Sequence, residues 1–277
     1  MRTLSRRRFL QTGSAALAAC YAGAARADEA NPYAPFKVGI ATYTLRNFKT
    51  LDECLAKLKE LGLQYSEFNK AHLVVTADAK KLAEYKEKLA AAGITPLAIC
   101  VYKFEEDAGA NRAVFEFAHA MNIPTISATF TKKGALSVDK LCDEFPTIRV
   151  GIHNHGPADI YKSPEDIFEC IKERHKNIGA TADLGNYIRS KQDPIEVIEK
   201  LKDRLYGIHF KDYKFVNGKE IETLIGDGTL KVKETLAALK RANFQGCMSL
   251  EYEQHPADPI PDLKVSLERI RAAARDV

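Results

Sequence analysis

The chain has no C-x-x-C pair, no glycine-rich G-x-G-x-x-G after its first apolar strand, no apolar run of bilayer length and no low-complexity linker. Each absence removes a class of protein. Without the glycine-rich turn, an open doubly wound sheet that cradles a dinucleotide loses its main support. Without a long apolar run there is no transmembrane helix, since Gly13 to Cys20 is too short to span. Without a composition break, nothing divides the body into two domains. Charge is also missing where the totals suggest it. The formal net charge is +4, but residues 1–27 carry Arg2, Arg6, Arg7, Arg8 and Arg26 and no acid, so the remainder holds 36 Lys+Arg against 37 Asp+Glu, a net −1. A near-neutral body gives no electrostatic reason to expect nucleic acid or an acidic membrane as partner. The cysteines Cys54, Cys100, Cys142, Cys170 and Cys247 fall at wide intervals on expected helices and strands, and read as buried free thiols.

What is present begins with a leader. Ser5-Arg6-Arg7-Arg8-Phe9-Leu10 resembles the twin-arginine export signal, and Ala25-Arg26-Ala27 is a small-x-small cleavage site that would leave Asp28 first. Leu17-Ala18-Ala19-Cys20 offers a rival route, a lipoprotein box that would leave a lipidated Cys20. Either way the expected location is periplasmic, with residues 1–27 as signal and 36–277 as the folded body.

From Lys37 the sequence alternates strand and helix without interruption. Expected strands cover residues 37–45, 63–68, 94–102, 124–130, 149–155, 178–184, 205–212 and 247–253. Expected helices cover 50–61, 77–92, 108–121, 137–145, a segment opened by Ser163-Pro164-Glu165, then 194–201, 231–242 and 262–274. Eight such units in about 240 residues match the repeat count and length of a (β/α)8 TIM barrel, an α/β fold. Barrels carry their chemistry at the carboxyl ends of the strands, and there this chain places its polar residues.

Alternation along a strand puts His153 and His155 on one face, about 7 Å apart. The same rule groups Thr181 with Asp183, Gly207 with His209 and Lys211, and Ser249 with Glu251 and Glu253. Any one of these has a plain alternative. A lone strand-end histidine is usually a hydrogen-bonded structural residue, Asp183 could bond turn amides, and Glu251 could pair with Lys211. Together, His153, Asp183, His209 and Glu251 from four strands make a mixed nitrogen–oxygen donor set. Such a set suits one divalent ion, Mn2+, Co2+ or Zn2+ better than Mg2+ or Ca2+. His155 is then a neighbouring or substrate-binding group, and Glu67, late on the second strand, is placed to position hydroxyls. Gly226-Asp227-Gly228 reads as a loop turn. His72, His119, His175 and His255 read as surface or structural.

The ordered strand ends, H-N-H at 153–155, D-x-G at 183–185, H-x-K-D at 209–212, G-x-G at 226–228 and L-E-x-E at 250–253, resemble the sugar phosphate isomerase/epimerase superfamily of xylose-isomerase-like barrels. The resemblance covers about residues 36 to 275. It implies one divalent metal held by Glu, Asp, His and Glu, the last three mapping onto Asp183, His209 and Glu251. The first maps onto His153, a departure that removes one of the two carboxylate bases an epimerase uses. The implied reaction is proton abstraction beside a carbonyl through a metal-stabilised enediolate, with Glu251 or His155 as base, Lys211 stabilising negative charge and Glu67 positioning hydroxyls. Reprotonation makes a sugar isomerase or epimerase, and loss of a β-substituent makes a lyase, as on 3-keto-glycosides. Export favours a non-phosphorylated carbohydrate. The competing readings are a non-catalytic sugar-binding barrel, which would lack metal, and an apurinic-site endonuclease, which the body charge disfavours. No membrane partner is expected unless Cys20 is lipidated.

Overall fold

Residues Ile178–Asp183 and Leu205–Phe210 are buried at every position. Strands covered on both faces read this way, because helices pack outside while neighbouring strands fill the inside. The structure, a computed structural model, describes residues 31–277; the leader, its cleavage site and Cys20 lie outside the described residues.

The elements run β1 (Lys37–Ile40), a short 3-10 turn (Thr42–Leu45), α1 (Leu51–Glu60), β2 (Tyr65–Asn69), α2 (Ala79–Ala92), β3 (Thr95–Phe104), α3 (Ala108–Ala120), β4 (Thr125–Phe130), α4 (Lys132–Glu144), β5 (Arg149–His153) and α5 (Pro164–Ile171). Then come β6 (Ile178–Asp183), α6 (Leu184–Arg189), α7 (Pro194–Leu201), β7 (Leu205–Phe210), a hairpin of β8 (Asp212–Val216) and β9 (Lys219–Thr223), α8 (Val232–Arg241), β10 (Cys247–Leu250) and α9 (Ile260–Arg275). Eight parallel strands form one sheet in the order β1-β10-β7-β6-β5-β4-β3-β2. It closes where Ala41 bridges Glu67, so the barrel is a TIM barrel with a thin seam between β1 and β2.

Short side-chain signals set the helix starts. Thr50 and Glu53 form a reciprocal capping box, as do Ser163 and Asp166 ahead of Pro164. Asp78, Asp107, Thr131, Asp183 and Asp193 each accept a bond from a first-turn amide. Each such cap stabilises its helix by about 1 kcal/mol. Gly93 ends α2 at φ 68°, a left-handed stop that favours glycine.

Three departures from the expected pattern matter. The first strand stops at Ile40 and turns through a 3-10 segment; Ala41 instead makes the bridge that closes the barrel. Helix α4 starts at Lys132, five residues before the expected start, with Gly134 in its first turn because a Cβ there would lie 2.2 Å from the Phe104 carbonyl oxygen. The loop after β7 is a hairpin, turned by Asn217-Gly218 at φ 51° and 76°. The five described cysteines are free thiols, four of them buried. Among the described residues, no helix is long and apolar enough to cross a membrane.

Candidate metal centre at the barrel mouth

Register does the first work of assembly. Asp183 pairs with His209 across β6 and β7, and His209 pairs with Ser249 across β7 and β10. Neighbouring strands lie about 4.8 Å apart, so their inward side chains meet. Small residues make room beneath: Gly151 and Gly207 flank Thr181, whose hydroxyl a Cβ on Gly151 would approach to 2.1 Å.

Two polar layers result. In the deeper one, Glu67 on β2 is 1% exposed and both of its oxygens are occupied. Ser127 donates to Oε1 at 2.6 Å, Ser249 donates to Oε2 at 2.6 Å, and His209 Nε2 lies 2.9 Å from Oε2. The structure thus places Glu67 below His209, its oxygens engaged by two hydroxyls and the imidazole. In the upper layer His209 Nδ1 is 3.2 Å from Glu251 Oε2, and donor atoms of His153, Asp183 and His209 lie within 4.8 Å of one another. Glu251 joins that trio through His209. Lys211, 2% exposed, reaches Glu251 at 3.4 Å, Glu253 at 2.5 Å and Glu222 at 3.6 Å.

Asp183 caps α6, its Oδ1 accepting from the Asn186 amide at 2.9 Å and its Oδ2 from the Asn186 side-chain amide at 2.6 Å. Asn154, the middle residue of H-N-H, clasps the Asp183 backbone from both sides, donating to its carbonyl and accepting from its N–H. His155 stands apart. Its side chain is half exposed on the rim, its backbone N–H donates to Asp159 at 2.7 Å, and its ring touches that of His153 at 4.7 Å between centroids.

The electrostatics divide the histidines. Burial would drive His209 neutral, but Glu67 and Glu251 on its two nitrogens reverse this and hold its pKa well above the ordinary value. Burial, reinforced by His209 and His155, pushes His153 well below. Glu251 is held below the usual carboxylate range because His209 and Lys211 outweigh its burial, while burial raises Asp183. Lys211 stays charged, since Glu251, Asp183 and Glu222 overcome its desolvation.

The residues fit a divalent ion. Donors bound to one metal at about 2.1 Å stand roughly 3 Å apart, the separation of His209 Nδ1 and Glu251 Oε2. The Nδ1 of His153 is buried and has no hydrogen-bond partner, a costly state for a neutral imidazole unless a ligand takes its lone pair.

The motif glycines each make space for another motif's side chain. A Cβ on Gly185 would lie 2.8 Å from Lys211 Cβ, and one on Gly228 would lie 2.3 Å from Asp212 Oδ1. Asp212 accepts from the backbone N–H groups of Gly226, Gly228 and Leu230, so the G-x-G segment is a turn fastened to the H-x-K-D carboxylate. Its amides are already committed and do not cradle a phosphate. Sequence reasoning passed over Asn154, Asn186, Ser127 and Glu222. Only Asn154 carried a local signal, as the residue between the two histidines.

Comparison with known proteins bears on the fold and the family. An inosose dehydratase from Clostridium perfringens is 21% identical over 197 residues, 64% of this chain and 64% of that enzyme. The chain spans about a third to two thirds of the length of the first curated relatives it matches. An uncharacterized protein from Parabacteroides distasonis superposes with a TM-score of 0.67 at 28% identity, covering 84% of this chain and 97% of that one. D-psicose 3-epimerase from Clostridium cellulolyticum superposes with a TM-score of 0.69 at 14% identity, covering 86% and 99%. Residues 55–273 match the model of one family, and with eight parallel strands closed around a shared polar mouth, the chain belongs to the xylose isomerase-like TIM barrel family.

Proposed function

We propose that this protein is a divalent-metal-dependent enzyme that removes the proton beside a carbonyl of a non-phosphorylated sugar or cyclitol ketone and then expels a β-substituent, a lyase reaction. His153, Asp183, His209 and Glu251 would hold the ion, which when bound supplies Lewis acidity at the carbonyl. The observation that carries the reading is the asymmetry at the mouth. One side presents the carboxylate of Glu251, and the other an imidazole, His153, where a two-base epimerase needs a second carboxylate.

Glu251 accepts the proton from carbon, its charge kept available by Lys211. Lys211 stabilises the negative charge that develops on the substrate oxygens. His155, paired with Asp159 on the rim, is placed to protonate the departing oxygen. Glu67 acts through His209, orienting the ring from below. Three glutamates, Glu222, Glu251 and Glu253, crowd around Lys211, and their negative charge disfavours a phosphorylated substrate. The exported location expected from the leader points the same way, and the inosose dehydratase relatives support elimination as the outcome.

The test is to incubate chelator-free protein with inososes, 3-keto-glycosides and free ketoses in deuterated water and follow them by NMR. The expected result is exchange of the C–H beside the carbonyl with loss of the β-substituent, both abolished by chelation. Exchange that ends in a new ketose or epimer would establish the isomerase reading instead. Neither exchange nor turnover, with no metal retained, would leave a sugar-binding barrel.

A further inference from the structure

A chain of polar contacts leads out of the candidate centre to the hairpin. Asn186 donates to Asp183 Oδ2 at 2.6 Å with one amide hydrogen and to the Asn154 carbonyl at 3.0 Å with the other. Its own carbonyl oxygen accepts from Arg189 Nη1 at 2.9 Å. Arg189 Nε in turn donates to Glu220 Oε2 at 2.6 Å, and its guanidinium lies over the Tyr213 ring at 5.5 Å. Glu220 and Tyr213 belong to β9 and β8. On the far side, Gly156 follows His155 at φ 105°, and a Cβ there would come within 3.1 Å of Arg189 Nη1. The guanidinium is therefore packed between the H-N-H loop, the start of α6 and the hairpin.

We propose that Arg189 and Glu220 are positioning residues for the metal, acting through Asn186 to hold Asp183 in its ligating orientation. The physical reason is the two-fold ambiguity of an amide. Asn186 serves Asp183 only while its NH2 faces the carboxylate, and a neutral amide has no preference of its own. Arg189 has donors only, so it accepts no hydrogen from the NH2 and fixes the oxygen on its own side. Glu220 anchors the guanidinium from the hairpin, which makes hairpin docking and the Asp183 ligand one linked unit.

This inference rests on the metal site proposed above, and the experiment separates the two. Calorimetric titration of the metal-free full-length protein with Mn2+ is repeated for Arg189→Met, Glu220→Gln and the double variant, with thermal melting of each metal-free form. Expected are about tenfold weaker binding for Arg189→Met, the lower end of the effect of removing an outer partner, a smaller loss for Glu220→Gln, and no further loss when Glu220→Gln is added to Arg189→Met. Hydrogen exchange in residues 212–223 should slow on adding Mn2+ to the parent and not to Arg189→Met. Parent-like affinity in Arg189→Met overturns the inference while leaving the metal site standing. Additive losses in the double variant overturn the linkage through Arg189. A parent that binds no Mn2+ overturns both.

Discussion

The layer of Glu67, Ser127 and Ser249 and the layer of His153, Asp183 and Glu251 lie one above the other inside the same barrel, and His209 touches both. Below His209 the named donors find acceptors: two hydroxyls and one ring nitrogen satisfy one carboxylate. Above it the accounting is left open, with a buried imidazole nitrogen unpartnered and acidic groups brought against one another. A closed buried network rigidifies and orients, while an open one destabilises the fold unless something binds there. The difference separates the residues that support His209 from those with donor atoms free to engage a ligand.

Removing His209 breaks both layers at once, so His209→Ala should have the largest effect. It leaves Glu67 and Glu251 buried without their shared cation, which costs about 3–5 kcal/mol of stability, and the divalent ion proposed above should no longer be retained on purification. Urea titration and metal analysis measure the two; a variant as stable as the parent and still metal-loaded would erase the distinction. Glu67→Gln cuts only the lower layer. Metal affinity should fall about 10- to 100-fold with the donors above intact, whereas Glu251→Gln should remove C–H exchange itself.

The pH dependence of the metal-free protein sharpens the contrast, because the two histidines have opposite signs. His209 titrates above its unfolded value, so its contribution is complete below about pH 6.5 and is lost as pH rises through the higher folded value. His153 titrates below, so its contribution is present above about pH 6.5 and is lost as pH falls toward the lower folded value. Urea midpoints from pH 5 to 9 should decline at both ends. His209→Gln should flatten the alkaline limb and His153→Gln the acid limb; a parent with neither limb contradicts both assignments. The smallest effect belongs to the rim. His155→Ala should change stability by less than about 0.5 kcal/mol and show itself only in turnover.

The barrel was legible because each strand is a short apolar run that ends in polar or small residues, and that pattern needs no long-range information. The hairpin was not read: the charged alternation of Lys214 to Glu222 hides its strands, and the segment passes for a long loop, although Asn217-Gly218 is a turn pair. Donors near strand ends could be picked out one by one, since His209 and Asp183 sit where periodicity puts them. Their partners could not. Glu67 meets His209 across 142 positions and Ser249 across 182, and nothing local in Tyr65–Asn69 marks one acid as the support of a distant ring. Arg189 looks like any solvated helix-end cation until Gly156 and Glu220 are seen around it.

The closure between β1 and β2 has a consequence of its own. Ala41 meets Glu67 in a single bridge, helped by the Ser66 hydroxyl on the Ile40 carbonyl at 2.7 Å, whereas every other junction carries a run of paired residues. The staves of the barrel thus part most cheaply beside the acid that steadies His209. Loosening of that joint would disturb the support under the ring, so the thinnest junction of the barrel and the proposed centre depend on the same acid.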